Sequence, residues 1–439
     1  MSRLPLVDCA ACGAEVDPAR ALPFRCPNAD ARPEVDHILT PRAVADSFPT
    51  GNEANPFLRY REWTLAYRLA RRAGLSEAGY ADLVERLDEA LVRVDGRGFR
   101  VTPFAARPDL APALGLPKLA LWVKDETGNV AGSHKGRHLM AVMLYLQVLA
   151  AGRLPAGEGL RSRRLAIASC GNAALAAAVV ARAADWPLDV FIPPDASPVV
   201  VARLKDLGAT VHICEREAGV AGDPCFLAYQ RAVAGGALSF GIQGTDNGLS
   251  VEGSRTLAYE MAETLARSGQ ELDALFVQVG GGALASGLWY GLVEMEAMGV
   301  LTARPRLFAV QTQGCHPLER AHGRLAQWTR ANNATVDTAL THAAFHRAEF
   351  MAPWDTAPHS IAHGILDDET YDWLSVTEGM LRTGGGPVIA SETELETANR
   401  VGRTVTGLKA SHTGTAGLAG VLAARPTGNV AVLFSGVER

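Results

Sequence analysis

The chain has 439 residues, 48% hydrophobic and 20% charged, with a formal net charge of −5 at neutral pH. That length calls for two or three domains and is enough to bury a full core. The composition is that of an ordinary globular protein, and so modest a negative charge argues against nucleic acid or an anionic membrane as a partner.

The N-terminal run MSRLPLVDCAACGAEV lacks the uninterrupted apolar stretch of a secretory signal. Seven cysteines, an odd number with three near the start, fit a reduced cytoplasmic protein better than a disulfide scaffold. Residues 1–50 carry Pro, Asp and Cys without periodicity, and read as an irregular arm or a small metal-stapled knob. Residues 56–95 show helical spacing of apolar residues, broken near Gly74.

From residue 117 short apolar runs alternate with longer amphipathic ones. Strands are expected at 118–124, 164–169, 188–193, 209–214, 272–279, 306–311 and 429–435, with helices between them, for example over 251–267 and 392–407. The most membrane-like run, Leu165 to Ala181, is interrupted by Ser169, Gly171 and Asn172, so it reads as a buried strand, a polar turn and a buried helix. Near-continuous apolar strands alternating with helices predict an α/β fold of two lobes, each with a largely parallel sheet flanked by helices, plus the Cys-containing arm. The larger lobe is assigned residues 51–139 and 251–439, and the smaller one 140–250.

Four features carry chemistry. In FVQVGGGALASG (276–287) a strand runs through Gly280, Gly281 and Gly282 into a small-residue helix start at Ala283 and Leu284. Backbone N–H groups there suit a phosphate; the plain alternative is a tight strand–helix turn. A dinucleotide reading is weak, because Gln311 and Gln313 stand where a ribose-binding acid belongs. In IASCGNAALAAA (167–178) a strand end at Ser169, Cys170, Gly171, Asn172 and Ala173 passes directly into a helix, which suits a carboxylate or, equally, a simple helix cap. Lys135, in GNVAGSHKGRHL, fails the spacing of a phosphate loop and occupies the Glu position of a zinc-protease helix. It is either a solvated lysine or a desolvated Schiff-base nucleophile. Ser435 follows the last strand, where open α/β sheets bind ligands, or is a turn serine.

The order of these features resembles the second structural family (fold type II) of pyridoxal-phosphate (PLP) enzymes, with serine and threonine dehydratases, serine racemase, threonine synthase and cysteine synthase among its members. TPF (102–104), KDETGNVAGSHKGR (124–137), ASCGNAALAAA (168–178), PPDASPVVVARLKDLGA (193–209), VEGSRTLAYEMAE (251–263), VGGGALASG (279–287) and VLFSG (432–436) fall in family order, so the resemblance covers roughly 100–439. It implies that Lys135 forms the Schiff base with PLP and removes the substrate α-proton. Asn172 would hold the cofactor's 3′ oxygen, and Gly280 to Leu284 its phosphate. Ser435 would meet the pyridine nitrogen, and Ser169, Cys170, Gly171 and Ala173 would form the substrate-carboxylate loop. A hydroxyl at the ring nitrogen makes a weaker electron sink, which favours elimination or replacement over transamination.

Departures bear on specificity. His134 and Gly136 flank the lysine in place of the family's aromatic and larger residue, and Cys170 stands where many dehydratases have a second serine. The two histidines His134 and His138 are expected to be supporting or surface residues rather than ligands. In the arm, Cys9, Cys12 and Cys26 resemble the zinc knuckle that often opens threonine-synthase-like chains. With no fourth cysteine, Asp30 or His37 would complete a structural zinc site. The resemblance therefore implies a PLP-dependent lyase acting on a small hydroxy amino acid, of threonine/serine ammonia-lyase type, and a homodimer without nucleic-acid or membrane partners. Threonine synthase acting on phosphohomoserine, a β-replacement synthase, or an inactive PLP-fold binding or regulatory protein are the alternatives, and a nicotinamide dehydrogenase is a weaker one.

Overall fold

In a computed structural model the protein is described over residues 7–41, 48, 51–216 and 223–439. The signal-peptide reading of residues 1–6 lies outside these, as do the parts of the arm at 42–47 and 49–50. Among the described residues there are three sheets. The largest is built from Phe104–Ala106 (β4), Leu119–Asp125 (β5), Ala274–Gln278 (β10), Arg306–Thr312 (β11), Gly386–Ala390 (β12) and Gly428–Phe434 (β13), in the order β12-β11-β10-β13-β5-β4. All pairings are parallel except β4 with β5. The second is wholly parallel. It comprises Leu165–Ala168 (β6), Leu188–Ile192 (β7), Thr210–Ile213 (β8) and Leu238–Ser239 (β9), in the order β8-β7-β6-β9.

All seven expected strands form. The added ones are short or atypical: β4 and β9 have three and two residues, and β12, GPVIA, begins with Gly-Pro and is only partly buried along most of its length. Such segments carry too little apolar pattern to be read as strands. The arm is also more ordered than expected. Val7–Cys9 (β1), Glu15–Val16 (β2) and Leu39–Pro41 (β3) make an antiparallel sheet, and Val7 and Leu39 are fully buried.

Helices cover both sheets. Lys135–Ala151 and Asn172–Ala183 are buried on nearly every side, which explains their apolar, Ala- and Leu-rich sequences. Each fully buried Leu, Met or Val contributes about 1.5–3 kcal/mol of transfer free energy. Ser250–Ser268 crosses Lys135–Ala151 so closely that a Cβ on Gly253 would lie 2.0 Å from the carbonyl oxygen of Arg137. On its other side Gly287 of the helix Ala283–Ala297 meets Ser254, where a Cβ would stand 1.7 Å from Oγ. These glycines set how near the three helices approach.

The expected lobe division needs correction. The boundary at 139/140 falls inside the helix Lys135–Ala151, and Leu65–Arg72 and Glu77–Asp95 share one hydrophobic core with the helices of the four-stranded sheet and with the arm. The apolar faces of 65–95 therefore belong with the smaller sheet, although their sequence neighbours enter the larger one. The run Leu165 to Ala181 is a strand, a turn and a helix as read from sequence. Among the described residues no single helix is long and apolar enough to cross a membrane.

Candidate active site

β10, β13 and β5 lie side by side and parallel, so their carboxyl ends open on one crevice, the usual ligand position of such sheets. After β5 the chain turns through Ala131 (φ +53°) and Gly132 (φ +63°) before the helix begins at Lys135. A left-handed alanine costs roughly 1–2 kcal/mol. Here it is held by a hydrogen bond from the Ala131 N–H to Asp95 Oδ2 at 2.8 Å and by Arg439, which donates to its carbonyl. A Cβ on Gly132 would lie 2.7 Å from Val437 Cγ2, so the C-terminal segment packs directly on this turn.

Lys135 keeps partial exposure, yet burial around its amine brings its pKa down from 10.5 to about 8, against the opposing pull of Asp367 and Asp372. That is the range of a nucleophilic lysine. Two residues on, Arg137 is fully buried and anchors the helix start. It donates to Glu126 at 2.9 and 3.0 Å and to Glu260 at 2.6 and 3.2 Å. Lys124 completes the set with 2.5 Å to Glu260 and 2.7 Å to the Thr102 carbonyl. Two cations and two carboxylates thus cancel in the interior.

Ser435 stands beside this turn: its carbonyl accepts from the His134 backbone N–H at 3.0 Å, and Ser133 bridges Gly436. Gln278, the polar last residue of an otherwise apolar strand, donates from Nε2 to Ser435 Oγ at 2.5 Å. With its oxygen accepting from Gln278, the hydroxyl is left to donate its proton elsewhere. Asn172 joins the group from the first position of its helix. Its Nδ2 lies 3.1 Å from where a Cβ on Gly436 would be, and its Oδ1 accepts from Arg439 Nε at 3.0 Å. The segments that carry Lys135, Asn172 and Ser435 are thus linked through His134 and Gly436.

The glycine turn is a close-fitting cradle. Gly282 has φ +101°, and the segment 362–373 lies across it. Added Cβ atoms would meet Asp367 Oδ2 at 2.2 Å from Gly280, Tyr371 Cδ2 at 3.1 Å from Gly281 and Asp372 Cβ at 3.0 Å from Gly282. Asp372 donates its N–H to the Gly281 carbonyl at 2.9 Å, and the Gly281 N–H is directed at the Asp367 carboxylate. The Asp367 carboxyl thus lies over this helix start, its pKa raised by burial, where Ala283 and Leu284 open the first turn. Burial raises the pKa of Asp372 to about 8, and its Oδ1 has no hydrogen-bond partner among the described residues.

Ser169, Cys170 and Gly171 form the turn after β6. Ser169 Oγ accepts from the Gly171 N–H at 3.4 Å, Cys170 is exposed, and Ala173 is buried in the following helix. Although the residue is exposed, the protein packed around its sulfur partly desolvates it, and this, with the carboxylates Asp195, Asp223 and Asp367, pushes the Cys170 thiol upward. The two histidines are not surface residues. His134 and His138 are buried, with ring centroids 5.5 Å apart, and each directs Nδ1 at a carbonyl: Ser435 at 3.0 Å and Ser250 at 2.7 Å. A carbonyl only accepts, so Nδ1 carries the proton in both. Burial, with Lys135 adding to it, depresses the pKa of His134 to about 3. Gln311 also has its own task, accepting from the N–H groups of Leu318 and Glu319 at the start of the helix Pro317–Ala331.

Sequence reasoning missed Gln278, the Lys124–Glu126–Glu260 charges and the covering segment with Asp367, Tyr371 and Asp372. A glutamine ending an apolar strand, and the acid–aromatic run LDDETYDW (366–373), were the available signals.

In the arm, Cys9, Cys12, Cys26 and His37 present ligand atoms within 4.8 Å of one another. Cys9 Sγ is 3.4 Å from His37 Nδ1, and Cys12 Sγ is 3.6 Å from Cys26 Sγ. His37 Nε2 faces the Arg32 carbonyl at 3.1 Å, which places the proton there and leaves Nδ1 a lone pair toward the sulfurs. Asp30 instead pairs with Arg25 at 2.6 Å.

Comparison with known proteins agrees with this geometry. The pattern of the pyridoxal-phosphate dependent enzymes matches residues 97–436. A serine dehydratase-like protein of Mus musculus is 30% identical over 225 residues, 51% of this chain and 59% of that protein. The match thus spans well under two thirds of that relative. Threonine synthase of Mycobacterium tuberculosis is 25% identical over 333 residues, covering 75% of this chain and 77% of the relative. Among solved structures, a threonine deaminase of T.th. superposes with a TM-score of 0.57 at 22% identity, over 81% of this chain and 98% of that one. With the lysine, the glycine cradle and the terminal serine converging on one crevice, and the family pattern spanning most of its length, this chain belongs to the pyridoxal-phosphate-dependent enzymes.

Proposed function

We propose that the protein is a PLP-dependent lyase that eliminates a leaving group from a small hydroxy amino acid, a serine/threonine ammonia-lyase. Ser435 carries this reading. It is a neutral hydroxyl, already accepting from Gln278, just past the end of β13, and its carbonyl is bonded to His134, next to Lys135 in the chain. Bound PLP supplies an electron sink for the α-carbon. A hydroxyl partner leaves the ring nitrogen unprotonated, which favours loss of a β-substituent over longer-lived carbanion chemistry.

The chain's own residues take the other roles. Lys135, partly neutral near pH 8, would hold the cofactor at its aldehyde and, once the substrate amine has displaced it, would accept the α-proton at its freed Nζ. Gly280, Gly281, Gly282, Ala283 and Leu284 would hold the phosphate, and Asn172 Nδ2 would donate to the 3′ oxygen. Ser169, Cys170, Gly171 and Ala173 receive the substrate carboxylate at a helix start. The serine dehydratase-like and threonine deaminase relatives support the same reading.

The test is an amino-acid panel on the purified, yellow protein, recording keto-acid and ammonia release. Serine and threonine should yield both, and Lys135→Ala should lose the borohydride-reducible chromophore and all turnover. Phosphate release from phosphohomoserine without ammonia would replace this reading with threonine synthase.

We also infer a structural zinc ion held by Cys9, Cys12, Cys26 and His37. Tetrahedral Zn–S bonds of about 2.3 Å put sulfurs roughly 3.8 Å apart, close to the 3.6 Å between Cys12 and Cys26. Metal analysis should find one zinc per chain, lost in Cys12→Ser. A metal-free protein with freely reactive Cys12 and Cys26 thiols would refute it.

A further inference from the structure

A second group of ligating side chains lies away from both the crevice and the arm. His342 and His346 are one turn apart at the end of the helix Val336–Phe345, and Glu349 is on the short helix Arg347–Phe350 that follows. Their ligand atoms all fall within 4.8 Å of one another. His342 Nε2 is 3.1 Å from Glu349 Oε2. Two ligands at right angles on an octahedral ion, each about 2.1 Å from it, stand roughly 3.0 Å apart.

Trp328 and Phe350 hold the His342 ring, whereas exposed His346 is stacked on it and turns off the stack to bring its nitrogen round to an ion. His342 stacks on Trp328 (centroids 4.2 Å, planes 12° apart) and on His346 (4.0 Å, 18°), and meets Phe350 edge-on at 5.9 Å. His346 Nδ1 points at the His342 carbonyl at 2.8 Å, so Nδ1 carries the proton and Nε2 keeps its lone pair. The short helix that carries Glu349 is anchored by Arg347, which is tied to Asp36 at 3.0 Å and to Glu369 at 2.5 Å. A surface cavity of about 540 Å³, lined by Trp328, Phe345 and both histidines, opens beside the group.

We propose that His342, His346 and Glu349 bind a divalent late first-row transition-metal ion such as Ni²⁺, Zn²⁺ or Cu²⁺. Two imidazoles and one carboxylate make a facial three-ligand set, which leaves the ion's other positions to water on the cavity side. On binding, the two imidazole nitrogens and the carboxylate oxygen displace three waters from the ion's shell, with His342 carrying its N–H on Nδ1. Neither the lyase reading nor the zinc site is needed for this.

The experiment uses full-length PLP-loaded protein saturated with zinc and then dialysed, so that the arm ligands are occupied. Ni²⁺ is added and bound metal is measured by equilibrium dialysis, with tryptophan fluorescence as a second signal for Trp328. Wild type should bind one Ni²⁺ per chain. The exposed-site variants His346→Ala and Glu349→Gln should each weaken binding at least about tenfold, and a control at the distant, partly exposed His212, His212→Ala, should change nothing. Substitution of His346 and Glu349 removes no core packing, and far-UV circular dichroism verifies folding. Absence of a Ni²⁺ equivalent in wild type, or equal binding by wild type and His346→Ala, would overturn the proposal.

Discussion

Arg137 is the residue whose removal tests the architecture of the crevice most directly. Its guanidinium faces two buried carboxylates, and Lys124 compensates only one of them, Glu260. At charge separations near 4 Å and an effective dielectric of about 20, each pair is worth roughly 4 kcal/mol before desolvation is counted. Arg137→Met keeps much of the stem volume but strands Glu126, leaving it only the hydrogen bonds of Thr102 and Asn129. Breaking a buried pair on one side typically costs about 3–5 kcal/mol, a large share of a domain's stability of about 5–15 kcal/mol.

The loss is read from urea unfolding of the cofactor-loaded protein at pH 7. Its pH dependence gives an independent sign. In wild type, burial raises the pKa of Glu126 but Arg137 more than reverses this, so the folded value is depressed. The stability from Glu126 is then present above its unfolded pKa and lost as pH falls through the folded value. In the variant the folded pKa is raised, so the contribution is present at low pH and lost as pH rises. The deficit should therefore shrink between pH 7 and pH 5. A loss below about 1 kcal/mol at pH 7, or a deficit that grows on acidification, would refute the account.

Gly253→Ala should force the helix Ser250–Ser268 off the Arg137 backbone, lowering the midpoint of thermal unfolding by the equivalent of about 1–3 kcal/mol and reducing PLP occupancy; an unchanged midpoint would contradict the close approach. In apoprotein, borohydride-trapped addition of pyridoxal to Lys135 should rise with a midpoint near pH 8 instead of the ordinary lysine range. Because its folded pKa is depressed, Lys135 costs stability at neutral pH and the cost fades as pH rises, so apo Lys135→Met should be the more stable protein at pH 7 but not above about pH 10.5. Gln278→Leu should leave Ser435 without its donor and red- or blue-shift the absorption of bound PLP while Lys135 still forms the reducible adduct; an unaltered spectrum would show that Gln278 does not act through Ser435.

Much of this protein was legible in one dimension. The largely apolar strands β5, β6, β10 and β13 announce a doubly covered parallel sheet, because burial on both faces favours such runs. Polar or glycine residues close each of them, so Ser169, Gly280 and Ser435 could be placed just past strand ends, and Lys135 at a loop-to-helix boundary, from the sequence alone. The three cysteines of the arm were visible too, although choosing His37 over Asp30 required seeing which of them folds back onto Cys9.

What tertiary structure alone decided depends on contacts between distant segments. Nothing local in DDETYDW says that it will cross Gly280–Gly282, since its position follows from β11, β12 and the helix Trp373–Thr383 packing around it. The core shared by 65–95 with the smaller sheet, the pairing of Arg137 with Glu260 across 123 residues, and the burial of His134 and His138 are equally non-local. Periodicity reports which face of an element is apolar. Which other element covers that face, and which charges are buried with it, is set by the chain's three-dimensional path.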